Sequence, residues 1–180
     1  MGKKLADFKV GQKFSSEFDK MTRELINDYA EASGDKNPIH IREDVAKKAG
    51  LKGVIAHGLL SFGFIVKLLD EQIKNTGKVS SIYGEMRGIV RPGDKLITEI
   101  EVKSIESNNV NFDVLQKTIT KVRIEKDGKI VKEFEAGERG WISEKDREAN
   151  LIKQKDVEEG TLTYRERTCI IGNASVQVNE

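Results

Sequence analysis

The periodicity of apolar positions changes several times along the chain, and each change predicts an element. Phe8 to Phe18 alternates Val10, Phe14 and Phe18 around Gly11, which predicts a turn and an extended entry segment. Leu25, Ile26, Tyr29 and Ala30 then fall at helical spacing, with Thr22 placed to cap the helix and Gly34 to end it. Asp35 to Pro38 are turn formers and read as a loop, and Glu43 to Ala49 reads as a second short helix stopped by Gly50.

Gly58 to Ile73 is the most apolar helix. Leu59, Leu60, Phe62, Phe64, Ile65, Val66, Leu68 and Leu69 occupy too many faces for a one-sided surface helix, so most of its circumference needs cover. Strands to supply it follow at Ser80–Val90, Lys95–Ile105, Asn109–Ile124 and Lys129–Ala136, with Pro92-Gly93 and Asp127-Gly128 as turns. Helices first and a meander of long strands afterwards is an α+β pattern, and a sheet wrapped around the helix is one way to supply the cover.

At 180 residues one domain is expected over 1–180. Within it, residues 141–180 form a C-terminal extension that the pattern does not place. Ser143 to Lys155 is charged and helix-like, while Thr161–Thr168 and Ala174–Val178 look extended and are separated by Gly172-Asn173. They read either as further strands of the same sheet or as a hairpin on its edge.

Composition removes several functions. With 31 basic and 30 acidic side chains the formal charge is +1, and no basic stripe interleaves with aromatics, so nucleic acid is not an expected partner. The run Leu59 to Leu69 contains Lys67 and falls short of the roughly 20 residues that a membrane helix needs. Met1 to Asp7 begins basic but has no long apolar segment behind it, so no secretory leader is expected. Cys169 is the only cysteine, which excludes an intrachain disulfide and predicts a reducing, cytoplasmic setting.

The chemistry concentrates at Ser33-Gly34-Asp35-Lys36-Asn37-Pro38-Ile39-His40 and at His57-Gly58, which place both histidines, a carboxylate and a helix N-terminus close together. Asp35 and His40 are candidates for proton transfer, because an imidazole titrates near neutral pH and a carboxylate can share a proton with it. The Gly58 N–H is a candidate oxyanion donor. The first helical N–H groups lack intrahelical acceptors, the helix dipole is positive there, and glycine admits a close approach. His57 and Ser61, four apart, are read as supporting residues that hydrogen-bond to each other or line the site. No metal site is expected, since the two histidines lack a third ligand at a recognised spacing. Cys169 reads as a small buried residue.

The motifs Tyr29-Ala30-Glu31-Ala32-Ser33-Gly34-Asp35-Lys36-Asn37-Pro38-Ile39-His40 and Val54-Ile55-Ala56-His57-Gly58-Leu59-Leu60, with the later Arg91-Pro92-Gly93-Asp94 turn, resemble the MaoC-like hydratase/dehydratase family over roughly residues 8–137. The resemblance implies a hot-dog fold, a homodimer or dimer-based assembly, and an acyl-CoA or acyl carrier protein thioester as substrate, with no further cofactor. It implies an (R)-specific enoyl-CoA hydratase or (3R)-hydroxyacyl thioester dehydratase, in which Asp35 and His40 match the catalytic pair and Gly58 the carbonyl-facing glycine. Asn37 and Pro38 match the loop that positions them. A CoA substrate would need cations at the tunnel mouth, for which Lys36, Arg42, Arg87 and Arg91 are candidates. The alternatives are a hot-dog thioesterase and a noncatalytic acyl-binding subunit of a hetero-oligomeric dehydratase.

Overall fold

The computed structural model describes residues 2–179. In chain order the elements are β1 (Lys13–Phe18), α1 (Arg23–Ser33), α2 (Pro38–Ile41), α3 (Glu43–Lys48), α4 (Gly58–Ile73), β2 (Gly77–Met86), β3 (Lys95–Glu106), β4 (Asn109–Lys126), β5 (Lys129–Glu133), α5 (Glu135–Glu138), α6 (Glu144–Glu148), β6 (Ile152–Val157) and β7 (Gly160–Val178). The strands form one antiparallel sheet in the order β1-β3-β4-β7-β2, with β5 added beside β4 and β6 beside β7. The sheet wraps around α4, giving the hot-dog arrangement. No helix among the described residues is long and apolar enough to cross a membrane.

The core lies between α4 and the inner face of the sheet. α4 turns Leu60, Ile65, Leu68, Leu69 and Ile73 inward, where they meet Leu96, Ile100, Phe112, Val114, Ile170 and Val176 from three strands. Strict alternation on β3 and β4 makes this possible, because every second residue of a strand faces the same side. Phe112 packs edge-on against Phe8 at 6.0 Å between ring centroids, and Phe8 meets Phe14 at 6.1 Å. The opposite stripe of α4 differs from expectation. Leu59 and Val66 are 63% and 37% exposed, so the chain alone leaves one side of this apolar helix uncovered.

Four boundaries depart from the sequence pattern, one of them the expected strand Lys129–Ala136, which ends at Glu133 where the chain turns into the short helix Glu135–Glu138. The expected strand Ser80–Val90 runs instead from Gly77 to Met86, because the backbone turns aside where Arg87 and Gly88 both donate to the Cys169 carbonyl. The charged stretch Ser143–Lys155 is helical only over Glu144–Glu148, where Ser143 and Asp146 form a reciprocal cap; Ile152–Val157 becomes a strand because it pairs with β7. Gly172-Asn173 is no break either, since β7 continues through it for 19 residues between β4 and β2. A Cβ at Gly172 would lie 1.9 Å from the Tyr83 carbonyl oxygen, so glycine there permits a close strand approach.

Replacing Phe112 with alanine should cost about 3–5 kcal/mol of unfolding free energy, measured by urea denaturation, because the site is enclosed by rings that cannot collapse into the void. A loss below about 1 kcal/mol would show that the core does not close at this point.

Candidate active site

The loop that carries the chemistry is fixed at each step by its own side chains. Thr22 caps α1 by accepting from the Leu25 N–H, and Gly34 closes that helix in the left-handed region at φ 77°. Asp35 Oδ1 accepts from the Asn37 N–H at 3.2 Å, and Asn37 Oδ1 accepts from the Ile39 N–H at 3.3 Å, capping α2 with Pro38 in its first turn. His40 thereby sits on a short helix immediately after the expected loop. Asn37 and Pro38 hold the turn on which Asp35 and His40 stand.

His40 is 9% exposed, and its Nδ1 lies 2.8 Å from the Ile55 carbonyl oxygen. A carbonyl can only accept, so Nδ1 carries the proton and the neutral ring keeps its lone pair on Nε2. His57, 1% exposed, makes the equivalent contact through Nε2 to the Asp35 carbonyl at 2.9 Å. The two imidazoles stack at 3.8 Å between centroids, tilted by 30°, with Tyr29 against the far side of His57 at 4.9 Å. One polar atom each from Asp35, His40 and His57 falls within 4.8 Å of the others, and Asp35 is the exposed member. Burial holds the His40 imidazolium below the ordinary histidine value of 6.5, and neighbouring His57 pushes it the same way, against the opposing Ile55 carbonyl and Asp35 carboxylate.

Of Asp35, His40 and His57, His40 alone lines a cavity of about 160 Å³, together with Gly58, Ser61, Met86, Val90 and Cys169 among others; Asp35 and His57 lie outside that lining. Gly58 begins α4, and no side chain caps that helix at His57, so its first N–H groups have no side-chain acceptor from the cap. Met86 covers this spot, and a Cβ at Gly58 would lie 2.2 Å from its sulfur. Of the two expectations for His57 and Ser61, the mutual bond is not made and the lining role holds for Ser61. His57 Nδ1 and Ser61 Oγ are both buried without a partner among the described residues, and Ser61 instead lines the cavity.

Gln116 belongs to the site although the sequence pattern did not single it out. It donates to the Ser61 carbonyl and to Thr98 Oγ1, both at 2.9 Å, and so ties α4 to the sheet behind the cavity. The signal for it is a polar side chain in the buried phase of an alternating strand, between Val114 and Thr118. Cys169 is 1% exposed, and burial pushes its thiol up to about 12, so it forms wall and not nucleophile. Of the four phosphate candidates, Lys36 pairs with Glu31 at 2.6 Å, Arg42 with Asp44 at 2.9 Å and Arg87 with Glu85, all exposed. Arg91 alone is buried, at 8% exposed.

A curled antiparallel sheet around a helix, with an imidazole and a carboxylate beside that helix's N-terminus, defines a hot-dog protein. The chain belongs to the family described as MaoC like domain, whose model matches residues 7–127. It is 31% identical to the (R)-specific enoyl-CoA hydratase of Rhodospirillum rubrum over 106 residues, covering 57% of this chain and 74% of that one. It is 39% identical over 92 residues to the peroxisomal hydratase-dehydrogenase-epimerase of Neurospora crassa, covering 51% of this chain and spanning only 10% of that protein's length. The fold matches the R-hydratase PhaJ1 of Pseudomonas aeruginosa with a TM-score of 0.67 at 20% identity, over 98% of this chain and 86% of that one.

The relatives also correct the expected cytoplasmic setting. The Neurospora protein is peroxisomal by name, as are the multifunctional enzymes type 2 of mouse and Drosophila that this chain also matches. A lone cysteine argues only against a disulfide-bonded product, so it does not separate one reducing compartment from another.

Truncating the buried His57 to alanine should destabilise the protein by about 1–3 kcal/mol in chemical denaturation, because the Asp35 carbonyl loses its donor and His40 its stacking partner. An unchanged midpoint would show that the two histidines do not order the loop.

Proposed function

We propose that this chain catalyses the reversible hydration of trans-2-enoyl thioesters to (R)-3-hydroxyacyl thioesters. The observation that carries the reading is the His40 Nδ1–H bond to Ile55, which leaves Nε2 unprotonated on a ring that borders the cavity, with Asp35 beside it. A water held between His40 Nε2 and Asp35 attacks the β-carbon. The pair removes one proton from that water and gives one to the α-carbon, so that hydroxyl and hydrogen are added across the double bond. The same steps in reverse release water.

Negative charge grows on the thioester oxygen as the double bond is attacked. The Gly58 N–H at the positive end of α4 is the donor for it, and a well-aimed donor of this kind lowers a barrier by about 3–4 kcal/mol. Asn37 and Pro38 position the pair, His57 braces the Asp35 loop, and Ser61 adds a hydroxyl to the cavity wall. The substrate in this reading is an acyl thioester on CoA or acyl carrier protein, and no step passes through a metal or redox group.

The whole chain acts as one domain, because β7 supplies a central strand of the sheet and cavity walls at Cys169 and Ile170. The assembly in this reading is a homodimer or a dimer-based oligomer. Its support is the uncovered stripe of α4 at Leu59 and Val66, together with Tyr83 and Met86, 55% and 54% exposed, on the edge strand β2. An unpaired edge that carries apolar side chains is suited to a second copy.

Asp35→Asn and His40→Ala should each cut crotonyl-CoA turnover at least about tenfold, with circular dichroism unchanged. Loss of enoyl absorbance with the thioester intact identifies hydration; release of free thiol would instead identify a thioesterase. Full turnover in either folded variant would end the mechanism.

The pH profile gives a separate test. A buried His40 is neutral, and so able to accept a proton, until the pH falls below its lowered value. The acid limb of kcat/KM should therefore have its midpoint below the ordinary histidine value of about 6.5. A midpoint above it would show that a different group, or a different histidine environment, controls the reaction.

A further inference from the structure

A second cavity, of about 290 Å³, adjoins the one just described and is lined by Arg91, Arg165, Arg167 and Lys145 with Trp141 and Asp146. Two of these cations are out of water: Arg91 is 8% exposed and Arg165 3%. Arg91 sits over the Trp141 ring, with its Cζ 4.8 Å from the ring centroid, and its Nη1 reaches no acceptor among the described residues. Arg165 is held only by long contacts: 3.3 Å to Thr120 Oγ1, 3.4 Å to the Trp141 carbonyl and 3.5 Å to Asp146 Oδ2. Its Nε is also buried without a partner among the described residues.

The local charge is not balanced. Asp146 is the one carboxylate in the lining, and its Oδ2 already accepts from the Ser143 N–H and hydroxyl at 2.8 and 2.7 Å. Asp94, fully buried behind the Pro92-Gly93 turn, uses Oδ2 to accept the Arg91 backbone N–H at 2.8 Å. Four lining cations thus face one lining carboxylate, Asp146, which is committed to the Ser143 donors, and Asp94 behind the lining, whose Oδ1 is buried without a partner among the described residues. Burial and then the charge of Arg165 both act to lower the Arg91 pKa, against the opposing Asp94 carboxylate. Two buried guanidiniums with free N–H donors and an apolar floor at Ile89 and Leu151 form a receptor for a planar or tetrahedral oxyanion.

The structure assigns this cavity as an oxyanion-binding site that takes a carboxylate or phosphate group of the substrate. Its position supports the link, and that link rests on the thioester reading above. Ile89 lines both cavities, the Val90 carbonyl accepts from the Ala56 N–H at 2.9 Å just before His57-Gly58, and a Cβ on Gly88 would lie 3.4 Å from Arg167 Nε. Most of the lining, from Trp141 to Arg167, lies beyond residues 7–127 that the family model matches.

Isothermal titration of inorganic phosphate and of glutarate into the full chain tests the site without any turnover, so failure here is distinct from failure of the hydratase reading. Saturable binding of at least one anion, with Kd on the order of 1 mM, weakened at least about tenfold by both Arg91→Gln and the half-buried Arg167→Gln, is the expected result. Circular dichroism keeps a folding defect in the first variant from being mistaken for lost binding, and in that case the second variant decides. No saturation by either anion, or wild-type binding in folded variants, would overturn the assignment. Hydration of crotonyl-CoA, crotonyl pantetheine and an enoyl pantetheine with a terminal carboxylate then identifies the source. Phosphate that competes only with the CoA substrate places the carrier in the site, glutarate that competes only with the carboxylated substrate places the acyl end there, and competition with neither overturns the link to the substrate.

Discussion

Burial of one face of α4 against the sheet sets everything else in this protein. A helix with so many apolar faces is stable only when covered, and the sheet covers it through Leu96, Ile100, Phe112, Val114 and Val176. That packing fixes where the helix starts, and at its start lie His57 and Gly58. Because the backbone N–H groups of a first helical turn have no acceptors within the helix, their position becomes a chemical resource only when the rest of the fold brings a reactive centre to them.

The loop from Gly34 to His40 does so by a chain of short-range hydrogen bonds closed by two longer ones. Asp35 and Asn37 shape their own turns, while His40 and His57 anchor to the carbonyls of Ile55 and Asp35. Each imidazole is therefore held in one tautomer and one orientation by a backbone group, which pre-organises the ring before any ligand arrives. The cost is two buried aromatic polar rings, offset by their mutual stacking and by Tyr29.

The C-terminal forty residues are structural in the same degree. β7 separates β2 from β4 and forms part of the cavity wall, so the sheet cannot close without it. The segment between β5 and β7 brings Trp141 and Asp146 against Arg165 of β7. Where most folds pair a buried arginine closely with a carboxylate, this one leaves donors free beside a cavity, and that imbalance is the feature of the molecule least explained by packing alone.

Local order was legible along the chain. Helical spacing in α1 and α4, strand alternation in β3 and β4, and the Asp35-to-His40 and His57-Gly58 motifs follow from side-chain periodicity and turn chemistry, which act over a few residues. Long-range packing settled the rest. Ile152–Val157 is a strand only because β7 lies beside it, and Gly172 marks a close approach of β2, not a turn. The tautomer of His40 depends on a carbonyl 15 residues away, and the meeting of Arg91 with Arg165 depends on two segments that periodicity never relates. Contacts between distant segments leave no local trace, because the pairing energy belongs to neither segment alone.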